Sequence, residues 1–237
     1  RPVKLSGRSL GGVRSDTRGL RSRWWLQCVL WGHEDHLRSS SRFLGAVLAG
    51  GRGRRYGGDK ASAVVGGQLL VERSISALEQ VVQDVVVVTS RQLPDSIVIP
   101  CIPDRFVDAG PLGGLHAALH AAAEYGNSGV LLLACDMPLI TPEVLRAILG
   151  AMDDFPAVAP LREEGIEPLC AAYHIDTLRT AEELLIGNDL SLHRFFREIG
   201  GVPIDLEGLG MECEDVFLNV NEQSDCIRAN TLLAGSH

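Results

Sequence analysis

Residues Leu44 to Lys60 read LGAVLAGGRGRRYGGDK: a short apolar run, then a loop dense in glycine and cations, placed ahead of the helix-like stretch Leu69 to Val82. A buried strand that opens into glycines before a helix is a place to hold a polyphosphate in an α/β protein. Glycine lets backbone N–H groups approach an anion closely, and the three arginines and one lysine offset charge that is costly to desolvate. Two commoner phosphate loops are excluded by spacing. A Walker A loop needs Gly and Lys adjacent and Ser or Thr next, whereas Asp59 separates Gly58 from Lys60 and Ala61 follows. A dinucleotide fingerprint needs G-x-G-x-x-G, but Gly51, Gly53 and Gly57 are one residue too widely spaced, and no acidic residue ends the next strand, Asp84 to Arg91. Read alone, the loop also admits a glycine-rich surface turn with solvent-facing arginines.

Outward from this loop, strand and helix patterns alternate, which predicts an α/β sheet rather than a bundle or sandwich. The pattern places strands at Leu44 to Leu48, Val85 to Thr89, Ile97 to Ile99 and Val130 to Ala134. The Val130 strand is continuously apolar, as suits a central parallel position covered on both faces. A loop over Pro103 to Leu112 leads into a helix over Gly113 to Glu124, and Thr141-Pro142-Glu143 carries the cap and first-turn signals of a helix through Ala151. Further on come Ala157 to Pro160, an extended Glu167 to Tyr173, helices over Ile175 to Ile186 and Leu192 to Ile199, and a short strand at Val216 to Val220.

Composition sets the outer limits. The 237 residues are 46% hydrophobic with mean hydropathy +0.12, enough for a sizeable core. Residues 1–43 hold nine Lys/Arg against three Asp/Glu, leaving net −14 on the remainder of a chain whose total is −8. A body so acidic repels nucleic-acid backbones, so general nucleic-acid binding is not expected, although a local cationic pocket can still hold one nucleotide. Cysteines 28, 101, 135, 170, 213 and 226 form no C-x-x-C pair and no zinc-like cluster, which suggests reduced thiols. No apolar run reaches the length of a membrane span, and the protein is expected in the cytoplasm. Residues 1–42 are rich in Arg, Ser and Gly without periodicity; they read as a basic, disordered extension preceding one domain over 43–237.

Among acidic residues, Asp136 in LLLACDMPL stands out, because a carboxylate at the carboxyl end of a central strand emerges at the ligand crevice of an open α/β sheet. Such a group can bridge Mg²⁺ to nucleotide phosphates, or else cap a nearby loop. Asp104 in PDR serves equally as an Asx turn. Cys135 has no histidine motif to activate it and reads as core. His116 and His120, four apart on a helix, lack partners for a metal site.

These segments together resemble the molybdenum cofactor guanylyltransferase family of nucleotidyltransferases over residues 44–237. The resemblance is carried by LAGGRGRRYGGDK at Leu48 to Lys60, Pro103-Asp104, GPLGG at Gly110 to Gly114, CDMP at Cys135 to Pro138 and NVNE at Asn219 to Glu222. It implies a Rossmann-like three-layer nucleotidyltransferase fold with a mostly parallel central sheet. It also implies a Mg²⁺-dependent transfer of GMP from GTP to the terminal phosphate of molybdopterin, with release of pyrophosphate. By resemblance, Leu48, Ala49, Gly50, Gly51, Lys60, Asp104 and Asp136 form the nucleotide site and Arg54, Lys60 and Asp136 carry catalysis. Asp136 is the metal ligand, and Asn219 and Asn221 lie on the acceptor side. Arg52 and Arg55 stay open between phosphate contact and solvent. Cofactor-delivery proteins or molybdoenzymes are possible further partners. Val88 departs from the pattern, standing where relatives can have an asparagine for nucleotide recognition. Transfer of CMP, transfer to a sugar phosphate, and a non-catalytic nucleotide sensor are therefore the competing readings.

Overall fold

The computed structural model describes residues 43–50, 63–211, 213 and 215–235. Strand β1, Phe43–Leu48, is buried along its whole length, as are β4, Val85–Val88, and β6, Gly129–Ala134. Strands without an exposed face belong in the middle of a sheet covered on both sides. Among the described residues the sheet runs β10-β7-β9-β6-β1-β4-β5, with β5 at Cys101–Ile102, β7 at Ala157–Arg162, β9 at Cys170–His174 and β10 at Val202–Ile204. The pairs β1–β4, β1–β6, β4–β5 and β7–β10 are parallel. β9 runs antiparallel to both of its neighbours, β6 and β7. Two short hairpins complete the strands: β2–β3, Val64–Val65 and Gln68–Leu69, and β8, Gly165–Ile166, which folds back on β7.

Period-two alternation along the strands divides the core into two layers. Val47, Val87, Leu131 and Leu133 face helix α1, Leu70–Glu79, and helix α3, Pro142–Gly150. Leu44, Ala46, Val86, Val88, Val130 and Leu132 face α2, Gly110–Glu124, with α4, Leu178–Ile186, and α5, Leu192–Glu198, on the same side. Each fully buried leucine contributes about 1.5–3 kcal/mol, so these faces dominate stability. The result is the expected three-layer arrangement. Helix α3 starts where the Thr141 hydroxyl accepts from the Val144 N–H at 3.4 Å, with Pro142 in the first turn.

Several expectations need correction. Ile97 to Ile99 is not a strand; the edge pairing falls on Cys101–Ile102, where the Val87 N–H donates to the Pro100 carbonyl at 2.9 Å. Helix α2 begins at Gly110, three residues early, because Pro111 occupies its first turn, where a missing N–H costs nothing. Val216 to Val220 is a turn and irregular chain rather than a strand. The C-terminal helix α6, Gln223–Gly235, was not foreseen. It closes a small satellite core of Ala63, Val65, Leu70, Val220, Cys226 and Ala229, and Asn230 accepts the Gly66 N–H across it at 2.8 Å.

Candidate functional site

Because β1, β4, β5, β6 and β7 run the same way, their carboxyl ends share one edge of the sheet. Hydrogen bonds carry the pairing just beyond the strands there. The Ala49 N–H donates to the Val88 carbonyl at 3.1 Å, the Cys135 N–H to the Leu48 carbonyl at 3.1 Å, and the Thr89 N–H to the Ile102 carbonyl at 2.9 Å. The backbone at Ala49, Thr89 and Cys135 is thereby held in fixed register. The helices that follow β1 and precede β6 pack on opposite faces, which opens a crevice beside β1 of the kind that binds ligands in open α/β sheets.

On one side of β1 lies Asp104, just past β5. A Cβ built on Gly50 would stand 4.0 Å from its Oδ2, and one on Gly114 would stand 3.5 Å from its Oδ1 and 2.9 Å from Leu48 Cδ2. Gly114 therefore lets the N-terminal part of α2 close against Leu48 and the Asp104 carboxylate. Asp104 Oδ1 is buried and accepts no hydrogen bond among the described residues, and burial pushes the Asp104 carboxyl above its ordinary range. A buried acceptor is costly unless a donor reaches it, so this oxygen is a place where a donor outside the described residues or on a ligand can bind.

On the other side, Asp136 emerges one residue beyond Cys135 at the end of β6. Its carbonyl accepts the Val220 N–H at 2.8 Å, so the Asn219–Asn221 segment is docked onto the Asp136 turn. The same turn is held from below by Arg73 of α1, whose Nε donates to the Pro138 carbonyl at 2.9 Å. Downstream, the Asn221 and Glu222 N–H groups donate to one carboxylate oxygen of Asp225 at 2.7 and 2.8 Å, fixing the start of α6. Leu48, Ala49, Gly50, Asp104, Asp136, Asn219 and Asn221 thus lie at one edge of the sheet. Gly51, Arg52, Arg54, Arg55 and Lys60 lie outside the described residues.

Sequence reasoning missed Glu167. Its side chain is 13% exposed and pairs with Arg162 of β7 at 3.3 Å, while Oε1 accepts the Leu169 N–H at 3.3 Å. Burial pushes its carboxyl upward; the Leu169 N–H and Arg162 oppose this, and the charge of Asp136 adds to it. An acidic residue heading an otherwise apolar strand was the available signal.

Other candidates take structural places. Val88 is 2% exposed within the α2 layer, so this position does not face the crevice. Cys135 is buried in the core, and burial pushes the Cys170 thiol far up. His116 is 3% exposed, edge-on to Phe106 at 5.0 Å, and burial lowers its pKa. His120 pairs with Glu124 at 3.2 Å.

Among the described residues, no group of three or more His, Cys, Asp or Glu side chains is arranged to hold a metal ion. The donors at the crevice are instead one strand-end carboxylate, Asp136, with the Asn219–Asn221 segment bonded to its turn. That set fits a hard cation that keeps waters and takes the remainder of its oxygens from substrate phosphates. It does not suit a dedicated zinc cage. No helix among the described residues is long and apolar enough to cross a membrane.

The chain resembles known proteins along nearly the whole of this domain. A protein of Pelotomaculum thermopropionicum named as a probable molybdenum cofactor guanylyltransferase is 32% identical over 197 residues, 81% of this chain and 94% of its own. A second so named, from Opitutus terrae, is 37% identical over 159 residues, 66% of this chain and 79% of its own. The solved structure of molybdopterin-guanine dinucleotide biosynthesis protein A from Archaeoglobus fulgidus is 25% identical and superposes with a TM-score of 0.70, covering 81% of this chain and 100% of that one. Residues 45–202 match the MobA-like NTP transferase domain, and with two-thirds of its length inside that match the chain belongs to the MobA-like NTP transferase family.

Proposed function

We propose that this protein transfers GMP from GTP to the terminal phosphate of molybdopterin, releasing pyrophosphate. The observation that carries the reading is the two-sided crevice. Gly50 and Asp104 border one side of β1, and Asp136, bonded through its carbonyl to Val220, borders the other. Its relatives' names supply the substrates.

The reaction asks little proton chemistry of the protein. An acceptor phosphate is already ionised at neutral pH; one of its oxygens forms a bond to the α-phosphorus, and the bond from that phosphorus to the bridging oxygen breaks. Pyrophosphate leaves with the electron pair, and no covalent enzyme intermediate is required. Catalysis therefore rests on alignment and on charge stabilisation. Leu48, Ala49, Gly50 and Gly51 present backbone to the nucleotide, and the rigid register at Ala49 keeps that surface in place. Asp104 offers an acceptor to a nucleotide donor group. Lys60 and Arg54 offset phosphate charge. Asp136 would hold Mg²⁺, with Asn219 and Asn221 beside it facing the acceptor. When bound, that cation would supply neutralisation of phosphate charge.

Pyrophosphate release tests the reading, measured with GTP, CTP, ATP and UTP in turn against molybdopterin and a sugar phosphate, with Mg²⁺ varied. Release that needs GTP, molybdopterin and Mg²⁺ together is expected. Preference for CTP would reassign the base, preference for a sugar phosphate would reassign the acceptor, and nucleotide binding without release would make the protein a sensor.

A further inference from the structure

Arg162 is the last residue of β7, so it leaves the sheet at the same carboxyl edge as Asp136. Three neighbours fix its guanidinium. Phe217 lies beneath it, with Cζ 5.2 Å from the ring centroid; Glu167 accepts from Nη1 at 3.3 Å; and Glu164 stands 3.5 Å from Nη2. These contacts differ in kind. Glu167 and Phe217 are largely covered, whereas the Glu164 side chain is 76% exposed. Arg162 itself retains 26% of its side-chain surface.

The pair is not needed to shape the local chain. The β7–β8 turn already has its own ladder, Leu161 opposite Ile166 and Arg162 opposite Gly165, and the Glu167 N–H donates to the Pro160 carbonyl at 2.9 Å. Covering a carboxylate is costly, and a pair that merely repeats an existing clasp offsets that cost poorly. Place gives a better reason. Phe217 lies two residues before Asn219, on the segment that binds the Asp136 carbonyl through Val220. Glu167 is close enough to Asp136 to feel its charge. Arg162 therefore flanks the Asp136 turn on the side away from β1, opposite Asp104 in the order of strands.

We propose that Arg162 is an acceptor-binding residue that grips the phosphate of the incoming nucleophile, and that Glu167 is the positioning residue that aims it. The inference rests on the guanylyl-transfer reading above. A planar guanidinium stacked on an aromatic ring presents its edge as a fork that matches phosphate oxygens. Glu167 occupies one arm and fixes the plane. The other arm meets only the exposed Glu164 among the described residues, a surface contact of small worth that an arriving phosphate displaces.

Calorimetric titration of the full chain tests this, with anaerobic molybdopterin and Mg²⁺-GTP titrated separately, together with the KM of each substrate. Arg162→Met is expected to raise the Kd and KM for molybdopterin about 10- to 100-fold, the worth of one charge-assisted contact, with the Kd for GTP unchanged. Arg162→Lys should recover part of the loss. Glu167→Gln keeps an acceptor for the Leu169 N–H and should weaken molybdopterin alone, which guards against misfolding of the methionine variant. Unaltered molybdopterin binding in Arg162→Met, or equal loss of both ligands in Glu167→Gln, would overturn the proposal. An unmodified protein that binds GTP but no molybdopterin would instead refute the guanylyl-transfer reading, and the inference with it.

Discussion

Asp136 places a negative charge where β6 ends, with its carbonyl already committed to Val220. Asp136→Asn keeps that backbone bond and the side chain's size while removing the charge proposed to hold a cation beside phosphate. Turnover should fall about 10²-fold or more, with the melting temperature unchanged. Pyrophosphate release across limiting Mg²⁺ concentrations decides it, and an undiminished rate would move the metal contact to Asp104 or to Asn219 and Asn221. Asp104 has the opposite character, since its cost appears in stability. Burial raises its pKa from the ordinary 3.8, so its favourable contribution is complete below that value and is lost as pH rises through the folded value. Asp104→Asn should therefore be more stable than the parent at pH 7, with the advantage vanishing toward pH 3. Urea midpoints measured from pH 3 to 8 check this, and a difference independent of pH would refute it. Asp136 was legible because a continuous apolar strand delivers it to the edge. Glu167 was not, because EPLCAAY reads as an ordinary strand and its contact with Arg162 exists only once the β7–β8 hairpin has formed.

At the scale of elements, the strands that sequence revealed are those buried on both faces, where composition leaves no alternative. β5 and β10 escaped because they are short edge strands. β10 contains Pro203, which an edge tolerates because one side of it makes no ladder. Helix α6 escaped for another reason: it buries only Cys226 and Ala229, too thin a stripe to stand out as a 3.6-residue period. Pairing between β6 and β9 makes a sharper demand. A Cβ at Gly129 would collide with the Tyr173 carbonyl and lie 2.6 Å from Phe43 Cε1. A backbone carbonyl cannot rotate away as a side chain can. Gly129→Ala should destabilise the domain by about 1–3 kcal/mol, read as a lower urea midpoint at unchanged slope; a change within error would show that β9 shifts freely.

For the molecule as a whole, the described crevice lies entirely after residue 42. We propose that residues 1–42 form a separate extension, and that the chain from 43 to 237 binds Mg²⁺-GTP with unchanged affinity when they are removed. Matched calorimetric titrations test this; loss of binding in a shortened protein that retains its circular dichroism would place the extension in the site.

Reversal of β9 has a different importance. A parallel strand at that position would begin at the far edge of the sheet and would need a crossover to reach its start. Running backwards, β9 begins at the crevice, so the chain passes from the end of β7 through β8 and Glu167 into β9 without leaving that edge. This connection can lengthen, shorten or change its side chains while the register of β1, β4 and β6 stays untouched. On the proposed assignment, the nucleotide side is thereby insulated from drift on the acceptor side. If that assignment holds, a lineage would exchange one phosphorylated acceptor for another by altering a single hairpin, leaving the nucleotide side as it was.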